Sequence, residues 1–577
     1  MNNEQKQTQQ NKLLPCLFKF LPLIIVICIE LLLWFVIGSP PSQPVSELFA
    51  YEYLDIHDPF FEIKKRGGNN YYVPQRKKSC AKPFPVNKNP DKIRIFLAGG
   101  SFALDWNTPL LEQQLNGILL QNNVKKSCEI INCSMAMYDS YRVSLVVREI
   151  IQYRPDLIIV LCGNSENIYT NDINTTLYKI KRVLNKSWLF ATTQNVFAKI
   201  SRKSQNVLEP DKDNIDPAEK LEAYKKNMAA IFQLAQSKNI PLLTGTLPIN
   251  LNGIPPIGKR PIEKTFLKGC LLLENGNFDE AIDAFRYYSR KHPDNAFGYF
   301  YLGKTCEKKG AFEKAKSHYY TAAKYDKAVR INPEMNDYLR NAYQENKNGF
   351  LDLDTLFNRL AKNNISGINQ FRDDSHVWPE YYGPISTTLY EELFNKATVF
   401  EKVFKGKLTN KIPFEIPELP EPDPYFYPIP QIRGVWAVMS NKGEGLCDYA
   451  VALFQTSRSM NAPGFDSIAF YKERIEQVLK SDFYLKHAFR EANLFDNRWP
   501  LVLYHVGELF RREKMYEQAI QFFDASIALN KNNYLPYLGK ALVLYSLDRT
   551  EDVRKNIDIA DKLSSSREIQ RYKELLL

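Results

Sequence analysis

Residues 92–100 read KIRIFLAGG, an apolar run that ends in two glycines and is followed by Ser101. Two similar apolar runs come later, CEIINC at 128–133 and DLIIVLC at 156–162. Each run is as long as a typical strand and lacks the polar alternation of a half-exposed one. The three runs therefore predict buried strands of a parallel sheet that is covered on both faces.

The segments between these runs carry apolar residues at helical spacing. Such spacing occurs at 109–122 and 141–153, and it predicts amphipathic helices. Further strands are predicted at 239–247 and 350–353. The alternation of strands and helices predicts an α/β fold with helices on both faces of the sheet.

Composition excludes several classes of protein. The 577 residues are 44% apolar and 24% charged, which is ordinary for a folded protein and unlike a disordered chain or a multi-span membrane protein. The net charge of +11 is dispersed, so nucleic-acid binding is not predicted. Nine cysteines without a CxxC pair make a zinc knuckle unexpected. We predict no metal and no cofactor.

The N-terminus carries an apolar stretch at 13–37, with Lys6 and Lys12 before it and Lys19 inside it. Residues 39–63 contain acidic residues but neither Lys nor Arg. About 20 apolar residues span a bilayer, and positive charge favours the cytoplasmic side. The sequence predicts one transmembrane signal anchor, with the bulk of the chain on the outer, periplasmic or extracytoplasmic side.

Glu30 lies within this apolar stretch. A carboxylate at that depth marks either a contact with a partner in the bilayer or a tolerated group in a single-pass anchor.

A different pattern lies between the predicted later strands. Small and aromatic residues recur with an offset of 34, as Gly269, Gly276, Phe278, Ala281 and Phe285 and again as Gly303, Gly310, Phe312, Ala315 and Tyr319. A 34-residue period of this kind resembles tetratricopeptide repeats. The same template fits Gly507, Phe510, Tyr516, Ala519 and Phe523. The resemblance implies a protein partner that binds through the repeats.

These patterns divide the chain into predicted segments. They are a cytoplasmic tail at 1–12, the anchor at 13–38, a connector at 39–90, an α/β domain in two parts at 91–263 and 327–404, inserted repeats at 264–326, a Pro-rich linker at 405–431, and a helical region with C-terminal repeats at 432–577.

Ser101 is the first candidate for chemistry. It follows two glycines at the predicted carboxyl end of a parallel strand, where α/β folds bind ligands. A glycine-rich turn with a solvated serine explains the same residues without function.

A serine nucleophile needs a base, and the chain has six histidines. Five of them lie in the connector or on predicted helices and repeat boundaries, namely His57, His292, His318, His487 and His505. His376 instead follows the last predicted strand, in the run RDDSH. Asp373 lies three residues earlier and can fix the imidazole tautomer, which leaves the other nitrogen free to take a proton. An acidic loop with an incidental histidine remains the alternative.

Together, four blocks of sequence resemble the GDSL/SGNH hydrolase superfamily, in particular bacterial membrane-anchored members that also carry tetratricopeptide repeats. The blocks are IFLAGGSF, INCSMAMYDSYR, RPDLIIVLCGNSENIY and FRDDSHVWPEYYG. The resemblance covers about 90–263 and 327–400. It implies a flavodoxin-like parallel sheet, and it places the nucleophile on Ser101 and the Asp-x-x-His pair on Asp373 and His376.

Two positions depart from the pattern of this family. The second block usually supplies a glycine whose N–H holds the oxyanion, and Ser134 stands at that place. The third block usually reads Gly-x-Asn-Asp or Gly-x-Asn-Glu with an oxyanion-binding Asn, and here Ser165 takes the Asn position. Asn164, one residue earlier, substitutes only if the loop is shifted by one residue. Loss of one such donor costs about 10²–10³ in turnover.

The resemblance implies a serine ester hydrolase or O-acyl transferase that acts on an ester-bearing envelope glycan or lipid. The alternative is a weak or inactive SGNH-like scaffold whose repeats bind a partner protein.

Overall fold

The computed structural model describes the greater part of the chain. The described residues are 25–38, 59–76, 79–121, 124–166, 184, 187–190, 192–193, 216–256, 260–326, 330–346, 349–367, 369–371, 374–404, 450, 453–454, 457–458, 462–481 and 493–577. The chain divides into two compact units, Met1–Val86 with Ile168–Ile215 and Asn87–Asn167 with Asp216–Leu577. The predicted linker at 405–431 lies outside the described residues.

In the first unit, part of the predicted connector forms an antiparallel sheet. Its strands are β1 (Phe61–Arg66), β2 (Asn69–Pro74) and β3 (Phe84–Pro85), in the order β1-β2-β3. Gly67 and Gly68 turn the chain with φ of 53° and 85°, a conformation that glycine adopts without strain. This sheet was not predicted from the sequence, although a Gly-Gly pair between two strand-like runs signals a hairpin.

The N-terminal part of the first unit contains a helix at 25–36. Residues 13–24 of the predicted anchor lie outside the described residues. Among the helices that the structure describes, none has the length and apolar character that crossing a membrane requires.

Glu30 has a partner within its own unit. Its carboxylate accepts hydrogen bonds from the hydroxyl of Ser187 and from the backbone N–H groups of Trp188 and Leu189, the latter two at 2.8 and 2.9 Å. The Trp188 indole N–H also donates to the Gly38 carbonyl at 2.8 Å. Residues 187–189 thus hold the Glu30 carboxylate, and both interpretations of its role in the bilayer stay predictions.

The second unit contains a five-stranded sheet in which every pairing is parallel. Its strands are β4 (Lys92–Gly99), β5 (Ser127–Asn132), β6 (Leu157–Leu161), β7 (Leu242–Thr246) and β8 (Gly349–Asp352). Every residue of β6 and β7 is buried, as expected for strands covered on both faces. All five strands were predicted from the sequence, with ends that differ by a few residues.

The strand order is β5-β4-β6-β7-β8. Counted within this sheet, the order is 2-1-3-4-5, which is that of flavodoxin-like folds. The predicted fold is thereby confirmed for the sheet. In such a sheet the order reverses next to the first strand, so a crevice opens between the carboxyl ends of β4 and β6.

Helices flank this sheet. Those before the helical insertion between β7 and β8 are α1 (Ser101–Leu104), α2 (Thr108–Gln121), α3 (Ser140–Ile150) and α4 (Pro217–Ser237). Those after the insertion are α9 (Pro333–Asn346), α10 (Leu353–Leu360), α11 (Tyr382–Asn395) and α12 (Ala397–Phe404). Helix α2 lies against β5, α9 against β7 and α11 against β8.

The insertion between β7 and β8 consists of two antiparallel helix pairs. They are α5 (Lys264–Asn275), α6 (Phe278–Lys291), α7 (Ala296–Lys308) and α8 (Phe312–Tyr325). A Cβ at Gly269 would lie 2.8 Å from the Phe285 ring, and one at Gly303 would lie 2.8 Å from the Tyr319 ring. The 34-residue pattern therefore records the same close helix contact twice.

The C-terminal helices are α13 (Ile468–Ser481), α14 (Asn493–Arg512), α15 (Tyr516–Leu529), α16 (Leu535–Ser546), α17 (Thr550–Leu563) and α18 (Arg567–Leu576). They lie against the insertion, because Leu267 of α5 shares a buried apolar cluster with Leu538, Ile557 and Tyr572. The Arg511 guanidinium, on α14, also pairs with Glu274 of α5. The two sets of repeats therefore form one contiguous body.

Candidate active site

The candidate site lies at the carboxyl edge of the sheet, where the order of the strands reverses. Gly99 of β4 stands opposite Leu161 of β6, and Leu97 stands opposite Asn132 of β5. Adjacent strands are about 4.8 Å apart. Residues just beyond these strand ends, which include Ser101, Ser134 and 163–165, therefore meet at one edge.

Backbone bonds extend this arrangement past the strands. The Gly100 N–H donates to the Leu161 carbonyl at 3.3 Å, and the Met135 N–H donates to the Gly99 carbonyl at 3.1 Å. A Cβ on Gly99 would lie 2.1 Å from the Leu161 carbonyl oxygen. Glycine is thus required for β4 to approach β6 closely enough to begin α1 at Ser101.

Ser101 is the first residue of α1 and is 7% exposed. Ser101 is therefore largely shielded from water at the switch point. A nucleophile at a strand-to-helix turn is favourably located for attack on a bound carbonyl.

Ser134 is fully buried beside it, but its backbone donor is already used. The Ser134 N–H donates to Asn132 Oδ1 at 2.9 Å, and Asn132 Nδ2 donates in turn to the Ala103 carbonyl at 3.0 Å. Ser134 Oγ has no hydrogen-bond partner among the described residues. The group that Ser134 offers to a ligand is thus its hydroxyl and not the backbone N–H that the resemblance implied.

In the second block, the backbone of Met137 has a left-handed conformation, with φ of 62°. This conformation favours glycine. Because Ser134 is not among the residues with positive φ, the glycine-like backbone lies three residues after the position assigned from the sequence.

In the third block, the residue that carries a side-chain amide near the strand end is Asn164. Asn164 is 6% exposed, its Oδ1 accepts from the Ile331 N–H at 2.9 Å, and its Nδ2 has no hydrogen-bond partner among the described residues. Ser165, at the position where the family has Asn, is also buried. Of these two residues only Asn164 carries a side-chain amide that can hold a negative oxygen.

His376 stands in a short loop closed by an antiparallel bridge between Phe371 and Val377. It is 6% exposed, and its Nδ1 lies 3.4 Å from the Ser375 hydroxyl. Asp373, the predicted partner of this imidazole, lies outside the described residues. The predicted Asp-x-x-His pair therefore stays a prediction.

The chain that follows His376 lies directly on α1. The Tyr382 hydroxyl, on α11, donates to the Phe102 carbonyl at 2.6 Å, and the Trp106 indole N–H donates to Ser386 Oγ at 3.1 Å. These bonds join the segment after Ser101 to the helix that starts six residues after His376. Parts of the chain separated by the whole insertion are thus brought together.

Carboxylates next to the site hold its loops in place. Glu166 accepts from the Ser140 N–H at 2.7 Å and from the Ser140 hydroxyl at 2.9 Å, and Asp139 pairs with Arg142. Burial, followed by the nearby Asp139 charge, raises the pKa of Glu166 to about 8. Glu166 thus ties the third block to the start of α3.

Sequence reasoning missed three groups at this edge. Asn132, Tyr382 and Ile331 hold the serine helix and the amide loop by single hydrogen bonds. Asn132 falls within a quoted block, so its polar side chain at a strand end was a usable signal. The hydrogen bond from the Ile331 backbone N–H could not be predicted from the sequence, because almost every residue has such a group.

Comparison with family models identifies the repeats. One model for tetratricopeptide repeats matches residues 266–335, and a second matches residues 501–533. The prediction of tetratricopeptide repeats both in the insertion and near the C-terminus is confirmed. Among curated proteins, none matches the chain.

Several solved structures are similar to the chain. A proposed acylhydrolase from Bacteroides fragilis has 12% identity and a TM-score of 0.24, covering 53% of this chain and 87% of its own. A GDSL-like lipase from Bacteroides thetaiotaomicron has 11% identity and a TM-score of 0.25, covering 53% and 90%. Yeast Tom70 has 12% identity and a TM-score of 0.14, covering 81% and 88%.

The second of these structures is described as GDSL-like, the group that the four sequence blocks resemble. At these TM-scores the superpositions carry no argument about chemistry, so the function has to be argued from the carboxyl edge of the sheet.

Proposed function

We propose that the chain is an SGNH-type serine ester hydrolase or O-acyl transferase. The observation that supports this proposal is the bond between Tyr382 and the Phe102 carbonyl, because it joins the chain six residues after His376 to the helix that begins at Ser101. Ser101 is the nucleophile and His376 its base. Asp373 orients the imidazole.

The proposed reaction has two stages. His376 takes the Ser101 proton while the serine oxygen attacks an ester carbonyl, and the Ser101 N–H and the Asn164 amide stabilise the negative oxygen. Collapse of this intermediate returns the proton to the leaving alcohol and leaves an acyl-enzyme. Water or a sugar hydroxyl, which gives its proton to His376, then attacks the acyl group. The bond between the acyl group and Ser101 breaks, and His376 returns the proton to Ser101. The acceptor decides between hydrolysis and transfer.

The substrate class follows from the proposed location. Lysines around 13–37 and acidic residues after it support an N-terminal anchor with the bulk of the chain on the outer side of the membrane. An enzyme held there meets acylated glycans and lipids of the envelope. Since Ser101 is only 7% exposed, a small acyl group suits the site better than a long chain.

A second function remains in contention for a specific reason. Ser165 replaces the side-chain amide that the family uses, so an inactive platform whose repeats bind a protein partner is the alternative. The contiguous body formed by both sets of repeats favours a role for them in partner binding in either case.

Fluorophosphonate labelling of the full chain separates the two functions. We expect labelling of the wild type, none of Ser101→Ala and strongly reduced labelling of His376→Gln. Ser317→Ala, which removes an exposed serine on α8, is the matched control and should label normally. An unlabelled wild type that is folded by circular dichroism contradicts the enzyme and supports the scaffold.

Two further measurements address the acceptor and the anchor. Turnover of a short-chain aryl acetate with and without added oligosaccharide separates hydrolysis from transfer.

Carbonate extraction of membranes containing the full chain, compared with a chain lacking residues 1–38, tests anchoring. Release of the full chain by carbonate contradicts the anchor.

A further inference from the structure

The insertion ends in a short segment that returns the chain to the sheet. We call Arg330–Asn332 the return segment. It lies between α8 and α9, and Asn332 begins α9 by accepting from the Glu334 N–H at 2.9 Å. Ile331 is fully buried, so this segment runs inside the molecule and not over its surface.

Ile331 contacts the third block at two points. Its N–H donates to Asn164 Oδ1 at 2.9 Å. Its side chain fills the space beside Gly163, where a Cβ would lie 2.5 Å from Ile331 Cδ1. Gly163 has φ of 140°, a backbone conformation that L side chains rarely adopt, so the loop and the return segment are shaped to each other.

Arg330 fixes the return segment from its other side. Its guanidinium donates to the Asn250 carbonyl and pairs with Asp326, and the Arg330 side chain is almost fully buried. Asn250 follows β7, whereas Asn164 follows β6. The return segment therefore spans the loops at the carboxyl ends of two neighbouring strands.

The bond from Ile331 fixes the orientation of the Asn164 amide. A backbone N–H can be met only by the carbonyl end of a carboxamide, so Oδ1 must face Ile331. The Nδ2 end is then held away from Ile331, buried and without a partner among the described residues. An unpaired buried donor is costly unless a ligand uses it.

We infer that the return segment of the inserted repeats positions Asn164 as the oxyanion donor of the site. This inference rests on the proposed function. It replaces the family's Asn, which is Ser165 here, by an amide one residue earlier whose orientation is set by Ile331 and Arg330. The repeats are thereby connected to catalysis through one short peptide, with Arg330 and Ile331 as positioning residues.

Asn164→Asp tests the donor itself. A carboxylate still accepts from the Ile331 N–H but cannot donate to an oxyanion. We expect kcat for a short-chain ester to fall by about 10²–10³ while KM changes little. Asn164→Ser, which loses the contact with Ile331 as well, should be no more active than Asn164→Asp.

Arg330→Ala tests the positioning. It removes the hold on Asn250 and Asp326 without touching the site. We expect kcat to fall about tenfold at unchanged KM, with partial recovery in Arg330→Lys. Arg286→Ala removes an exposed arginine paired with Asp283 on α6 and should leave kcat unchanged. A thermal melt of each variant separates a positioning effect from loss of the fold.

The results distinguish this inference from the proposed function. If the wild type fails to label with fluorophosphonate, the proposed function fails. If the wild type labels and turns over but Asn164→Asp or a folded Arg330→Ala keeps the wild-type kcat, the enzyme stands and the inference is overturned. A fall in kcat that Arg330→Lys partly restores supports it.

Discussion

The repeat helices and the carboxyl edge of the sheet are built from different contacts. In the repeats, glycines lie against aromatic rings at a fixed spacing, as Gly269 does against Phe285 and Gly507 does against Phe523. At the carboxyl edge, polar groups from loops far apart in sequence meet through single hydrogen bonds, such as that between Ile331 and Asn164. The first kind of contact holds the molecule together, and the second kind orients groups for chemistry.

This difference separates two effects of mutation. Changes in the repeats should lower the free energy of unfolding, because they disturb apolar contacts or buried charges over a wide area. Changes at the carboxyl edge should alter reactivity or pH dependence more than stability.

Arg511→Ala should have the largest effect on stability. Arg511 is 4% exposed in its side chain and pairs with both Glu274 and Glu508, so its loss removes the hydrogen-bonded cation from two carboxylates. Removing one partner of a buried ion pair costs about 3–5 kcal/mol. Urea unfolding measures the cost, with Lys540→Ala at a more exposed pair as the control. A loss below about 1 kcal/mol would show that the charges do not join the two sets of repeats.

Gly303→Ala should destabilise the repeats to a smaller extent. The new methyl would lie 2.8 Å from the Tyr319 ring, and overfilling a close contact costs about 1–3 kcal/mol. Gly117→Ala on α2 is the matched control, because nothing lies within 4 Å of its Cβ position. There the substitution should stabilise the helix by about 0.5–1 kcal/mol. Equal effects at the two glycines would contradict the close helix contact.

Glu166→Gln should change the pH dependence of stability. The raised pKa of Glu166, about 8, means that the native state holds a proton that the unfolded chain releases near pH 4.5. This contribution to stability is complete below pH 4.5 and is lost as pH rises towards 8.

In the variant, the decline in stability between pH 5 and pH 8 should be smaller than in the wild type. Gln still accepts from Ser140, so the fold should persist. Unfolding free energies at several pH values measure the difference, with the exposed Glu222→Gln as the control. Identical pH profiles for Glu166→Gln and the wild type would rule out a shifted carboxyl.

The fold was predictable where the sequence signal is local. The strand KIRIFLAG and the 34-residue repeat each arise from contacts within one element or between neighbouring helices, so composition and spacing record them. The position of Ser101 after two glycines was predictable for the same reason. The hairpin at Gly67 and Gly68 also has a local signal, the Gly-Gly pair between two strand-like runs, but it was not predicted.

The details of the site were less predictable because they depend on long-range contacts. The resemblance assigned the oxyanion groups by position within each block, and it gave Ser134 a backbone role that Asn132 prevents. The orientation of the Asn164 amide depends on a hydrogen bond from Ile331, which lies on the other side of the insertion. Because almost every residue type has a backbone N–H, a hydrogen bond from a distant backbone group leaves no sequence motif.

The tie between α18 and α5 has a consequence for biosynthesis. Leu267 of α5 is buried by Leu538, Tyr572 and Leu576, all of which are synthesised long after it. While the ribosome is still translating the later helices, this face of the insertion is uncovered and exposed to chaperones or to another nascent chain. The insertion therefore completes its fold only when α18 has left the exit tunnel, and truncations that remove α18 should be prone to aggregation.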